Sequence, residues 1–118
     1  MNEEIETIFN NFKVNNVAIP VSFLRYNGNA TTYITYNEQD MNNVLSGDDK
    51  ILGYVYYYDF DIYSKGNYLD IVESVKTLLK QNGFTFQPSR CSPDLFEDDT
   101  GYYHKTLNFA KEYEESEE

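Results

Sequence analysis

Apolar positions along the chain change period several times, and each change predicts an element. Ile5, Ile8, Phe9 and Phe12 stand at helical spacing within residues 2–13, with Asn2 placed as N-cap, so a short helix with one apolar stripe is expected. Asn15-Asn16 breaks it. Val17, Ile19, Val21 and Phe23 then alternate with small or polar residues, the pattern of a half-buried strand. Pro20 lacks an amide donor and puts the start of that strand, or a sheet edge, beside it. Asn27-Gly28-Asn29 is a turn signal, and residues 31–36, rich in Thr and aromatic side chains, read as the second arm of an antiparallel hairpin.

Residues 37–50 carry only Met41, Val44 and Leu45 as apolar positions and end on Gly47-Asp48-Asp49, so they read as a long polar loop that a partner would order. The central element follows over residues 51–64. Leu52, Tyr54, Tyr56, Tyr58, Phe60 and Ile62 share one face, and Val55, Tyr57, Asp59, Asp61 and Tyr63 share the other. At about 3.3 Å per residue such a strand runs roughly 45 Å and should project past its sheet.

The second helix, over residues 67–82, has Asn67 as cap, Asp70 in its first turn and an apolar stripe of Tyr68, Ile71, Val72, Val75, Leu78 and Leu79. Asn82-Gly83 stops it. Phe84 and Phe86 mark a short strand, residues 88–99 an irregular acidic connection, and Tyr103, Leu107 and Phe109 a last strand of about nine residues. The expected fold is α+β: a mostly antiparallel four- to five-stranded sheet with two helices packed on one face, in the order α-β-β-β-α-β-β. Residues 1–111 form the single domain, and residues 112–118 an acidic, frayed tail.

Charge narrows the range of partners. Nine basic against twenty acidic residues give a net charge of −11, which opposes binding to nucleic acid or an anionic membrane. One cysteine, Cys91, excludes an internal disulfide and fits a reducing compartment. No apolar run approaches the ~20 residues of a membrane span, and the acidic first residues do not read as a signal peptide. Twelve Tyr and eight Phe with no Trp suit half-buried surfaces and subunit contacts, although Tyr is also a common strand residue.

Chemistry is sparse. Asp59 and Asp61, at i and i+2 on one strand, project the same way and could hold a divalent cation if further oxygens converged. No phosphate loop or second acidic motif accompanies them, so a solvated or subunit-facing strand is the better reading. His104 is the only histidine and lies between Tyr103 and Lys105 without a motif for acid–base work. No catalytic residue, cofactor or metal site is expected.

Several stretches together resemble a known group: the opening helix, Ile19-Pro20-Val21-Ser22-Phe23 with its turn at Asn27-Gly28, and Thr32-Tyr33-Ile34-Thr35-Tyr36. The strand closing on Asp59-Phe60-Asp61-Ile62-Tyr63-Ser64, the second helix, and Asp99-Thr100-Gly101-Tyr102-Tyr103-His104-Lys105-Thr106 continue the pattern. In this order they resemble the tail-terminator (tail-to-head joining) proteins of long-tailed bacteriophages and prophages. The resemblance implies an α+β subunit of a ring, typically a hexamer, at the head-proximal end of the tail tube. There it would end tube polymerisation and dock the head connector protein. Its partners would be its own copies, the tail tube protein and the connector, with DNA passing the lumen without specific binding and no membrane involved. It would be found in the host bacterial cytoplasm during assembly and then in the virion. Met41, Val44, Leu45, Tyr57, Asp59, Asp61 and Tyr63 are the expected interface residues. Two alternatives remain beside it: another head-tail neck or completion protein, and an acidic inhibitor that mimics DNA on a nucleic-acid enzyme.

Overall fold

The computed structural model describes residues 2–45, 51–66 and 68–114. Its backbone is built around one strand, β5 (Ile51–Ser64), paired along its length on both sides. β4 (Tyr33–Leu45) and β8 (Tyr102–Glu114) flank it, both antiparallel. Long paired strands make the molecule elongated, 53 × 27 × 24 Å. The central strand therefore does not project alone, because both neighbours run out with it.

Alternation decides what this ribbon buries. Tyr58, Phe60 and Ile62 are almost fully buried on one face of β5, beside Ile34 and Tyr36 of β4 and Leu107 and Phe109 of β8. The two helices, α1 (Asn2–Ile8) and α2 (Leu69–Gln81), cover that same face. Ile5 and Phe9 come in from α1 and the turn after it, with the Phe9 ring 5.9 Å from that of Phe60. Ile71, Val72, Val75 and Leu79 come in from α2. The architecture is thus α+β, two helices on a mostly antiparallel sheet, as the sequence pattern predicts.

The C-terminus of α2 is closed as its sequence suggests. Gly83 takes φ 86°, a conformation open to glycine, and the amides of Asn82 and Phe84 both reach the carbonyl of Leu79 at 3.0 Å. Lys111 of β8 donates to the carbonyl of Asn82 at 3.0 Å, a cation on the negative end of the helix. The expected Asn67 cap lies outside the described residues.

Several expectations are corrected. The first helix ends at Ile8, and a small antiparallel hairpin, β1 (Lys13–Val14) with β2 (Val17–Ala18), follows it. Asn15 and Asn16 make its turn in left-handed geometry, φ 53° and 67°. The second correction is one of direction: β3 (Val21–Phe23) pairs with β4 in parallel, Val21 beside Ile34 and Phe23 beside Tyr36. Leu24 turns the chain out of β3 with φ 66°, so residues 24–32 cross over instead of doubling back. The Asn27-Gly28 turn is closed by Tyr26, whose hydroxyl accepts from the amide of Ala30 at 2.9 Å and whose ring fills the space a Cβ at Gly28 would need.

Third, residues 37–45 are not a loop but the outer half of β4; residues 46–50 lie outside the described residues. Their polar side chains carry little strand propensity, and pairing to the Tyr-rich β5 supplies what propensity does not. Fourth, β8 runs through Glu112 to Glu114, so the start of the expected tail is strand; the rest lies outside the described residues. Two further short strands, β6 (Thr85–Phe86) and β7 (Leu95–Glu97), lie along the other edge of β8 with a 3-10 turn at Pro88–Arg90 between them. The main sheet has six strands, ordered β3-β4-β5-β8-β6 with β7 also on β8, against the four or five expected.

Candidate functional site

With both helices on one face, the opposite face of the sheet carries no helix, and the chemistry-bearing side chains of β5 lie there. Tyr57, Asp59, Asp61 and Tyr63 form one column, as expected. Cross-strand pairing sets a row beside each. Asp61 lies between Thr35 and Thr106, Asp59 between Asn37 and Asn108, and Tyr63 between Tyr33 and His104.

Each row is closed internally. Asp61 Oδ1 accepts from the Thr106 hydroxyl at 2.5 Å and lies 3.3 Å from His104 Nε2. Asp59 Oδ1 accepts from Asn108 Nδ2 at 2.8 Å. Burial pushes the Asp59 carboxyl above its ordinary range; the bond from Asn108 pulls it back and the neighbouring Asp61 pushes it up. The third row is a stack. Tyr26, Tyr33, Tyr63 and His104 lie ring on ring, with centroid separations of 4.7, 4.9 and 4.3 Å. At the opposite end of the column the Arg90 guanidinium covers the Tyr57 ring, 3.8 Å from its centroid, and reaches Asp40 at 3.5 Å.

The face is thus tied together by contacts within the chain. His104 is held between the Tyr63 ring and the Asp61 carboxylate, which the Thr106 hydroxyl shares. Cys91 donates to the carbonyl of Gln87 at 3.3 Å and accepts from the amide of Asn108 at 3.3 Å, a structural role at the sheet edge. Among the described residues, no group of three or more His, Cys, Asp or Glu side chains could hold a metal ion. No helix among the described residues is long and apolar enough to cross a membrane.

The expected interface residues do not all share this face. A β-bulge between Glu38 and Asp40 of β4 shifts the register by one. Before it Glu38 pairs with Tyr58; after it Met41 pairs with Tyr56, and both are helix-side partners. Met41 is therefore on the helix side, 46% exposed, away from Tyr57, Asp59, Asp61 and Tyr63. Val44 and Leu45 continue β4, and their side chains lie outside the described residues. Sequence reading missed Thr106, Asn108 and the Tyr26–Tyr33 pair. The alternation of polar residues at 104, 106 and 108 was the available signal, and it matches the 59, 61, 63 column one strand away.

The sequence matches no protein-family model, and no curated protein is significantly similar to it.

Proposed function

We propose that this chain is an assembly protein of a long-tailed phage or prophage, a ring subunit that ends the tail tube and docks the head connector. The observation that carries the reading is the helix-free face of an elongated sheet, with its aromatic and polar rows tied by contacts within the chain. A face fixed before assembly loses little side-chain freedom on binding, which favours a docking role. The sequence resemblance supplies the place: the tail-head junction, with DNA passing the lumen. An acidic chain would line such a channel without holding the DNA, since like charge repels it. Assembly would take place in the bacterial cytoplasm, before the ring becomes part of the virion.

Light scattering and negative-stain microscopy of the purified chain, alone and with tail tubes, test the reading. Closed rings, or tubes capped at one end, are expected. Monomers that ignore tail tubes at every concentration would remove it.

A further inference from the structure

Deepening that reading, and resting on it, is a match between two edge strands of the sheet. One is β3. Ile34 N donates to Pro20 O and Leu24 N donates to Tyr36 O, both at 2.9 Å, so residues 20, 22 and 24 face β4. Val21 and Phe23 consequently turn their amides outward, away from the sheet. Phe23 and Leu24 are 43% and 61% exposed at this edge. Phe23 leans on the Tyr36 ring on the helix side, 5.5 Å between centroids. Leu24, in left-handed geometry that leucine disfavours, borders a shallow recess on the open side with Tyr26, Tyr33 and Tyr63.

β7 forms the other edge. Leu95 and Phe96 are 44% and 51% exposed. Phe96 packs on Tyr103 at 4.9 Å on the helix side, and Leu95 pairs with His104 on the open side. Both edges thus present a Phe toward the helices and a Leu toward the open face. Their charges are opposite: Arg25 follows β3, while Glu97 ends β7 and Asp98 and Asp99 come after it. Neither Arg25 nor Glu97 has an ion-pair partner among the described residues. The outer edge of β4, by contrast, is guarded by Glu38, Asp40 and the bulge.

We propose that the β3 edge of one copy pairs with the β7 edge of the next, continuing the sheet from subunit to subunit. Such a contact is heterologous and closes into a ring when its rotation allows. The two strands pair antiparallel, since β3 runs with β8 and β7 runs against it; with Phe23 opposite Phe96, Leu24 stands opposite Leu95 and Arg25 opposite Asp94. The edges are offset: Phe23 is level with Leu107 through Tyr36 and Phe60, four positions (107 − 103) along β8 from Tyr103, the partner of Phe96. A ring absorbs that step by tilting its strands, as barrels do.

The test uses Leu24→Asp and Leu95→Asp, both at exposed positions, with melting temperature and circular dichroism as folding controls. Each alone should weaken self-association by more than about tenfold and abolish rings in sedimentation velocity. Mixed in equal amounts they should form a one-to-one dimer, since each keeps one intact edge of opposite kind. Should either variant fold poorly, Phe23→Asp and Phe96→Asp, also at exposed positions, serve instead, each abolishing rings alone and the two forming a one-to-one dimer when mixed. Rings that persist in both single variants would overturn the edge assignment and leave the ring reading standing, as would a mixture that stays monomeric. A wild-type chain monomeric even with tail tubes would overturn both. Loss of tail-tube binding with self-association unchanged would mean that the edges serve a different protein, and would equally overturn the proposal.

Discussion

Asn108 donates through Nδ2 to Asp59 Oδ1 at 2.8 Å, and the two residues are direct cross-strand partners at the middle of the open face. The bond is one-sided. Asn108 is 2% exposed, and its own Oδ1 finds no hydrogen-bond partner among the described residues. Asp59 is half-buried, with its carboxyl held above the ordinary range mainly by burial.

Asp59→Asn should therefore melt no lower than the wild type near pH ~7. A carboxyl whose folded pKa is raised binds more protons in the folded state across the window between its ordinary and its raised value. Its charged form costs stability as pH rises through that window, and the cost is then constant above it. The substitution removes this cost and keeps an oxygen for Asn108 Nδ2. Its advantage should shrink as pH falls toward ~4, where the wild-type carboxyl takes up its proton. Thermal melts of both proteins across that range check the sign; a wild type that is clearly more stable near neutrality would mean that the charge on Asp59 supports the fold.

Val75→Asp should be severely destabilising. Val75 is fully buried at the middle of α2, among core side chains with no cation to pair a carboxylate. A loss of more than about 3 kcal/mol in urea unfolding is expected, a large share of a small domain's stability. A loss under about 1 kcal/mol would show that α2 can shift and release the group to solvent.

Tyr36→Phe should be neutral or stabilising. The Tyr36 ring is 1% exposed and stacks near Phe60 and Phe23, yet its hydroxyl has no hydrogen-bond partner among the described residues. Removing the hydroxyl deletes a buried polar group and keeps the ring. Urea unfolding should give the same or a higher midpoint. A drop of about 1 kcal/mol or more would indicate a bond that this hydroxyl makes.

Alkaline titration should proceed in two stages. Burial pushes the hydroxyls of Tyr58 and Tyr113 far up, with nearby carboxylates adding to the effect, and Tyr33, Tyr36 and Tyr63 are raised as well. The folded state therefore keeps protons that the unfolded chain gives up above pH 10.0, so stability falls as pH rises past that value. Tyrosinate absorbance should lag behind that of a denatured sample and then complete together with unfolding. Superimposable curves would contradict the burial of these side chains.

The strong periods in the sequence correspond to real elements. The bounds 51–64 of the central strand and the stripe of α2 were legible because large apolar residues recur there at 2 and 3.6 residues. Tyr57, Asp59, Asp61 and Tyr63 followed from parity alone. The outer half of β4 was not legible, because Asn37, Glu38, Gln39 and Asp40 are strand only by virtue of their partner on β5. Met41, expected at the interface as part of a loop, stands on a strand instead, and the bulge that sets its face is not announced by one sequence. The parallel pairing of β3 was missed for a similar reason. Asn27-Gly28 signals a turn, but Leu24 has already redirected the chain before it.

The place of β5 between its two neighbours also sets an order of events in folding. β4 and β5 are consecutive in the chain, so their twelve registered pairs can zip up across a short connection. β8 is separated from β5 by α2, β6 and β7, yet matches it pair for pair from Gly53–Glu114 to Ser64–Tyr103. Closing that longer excursion costs more chain entropy and yields nothing until several pairs have formed. Until β8 arrives, the Tyr-rich β5 is itself a bare edge, the kind of segment on which nascent chains associate wrongly. Any cell that makes many copies of this chain at once would thus meet its greatest risk of misassembly in the interval before the last strand is made and docked.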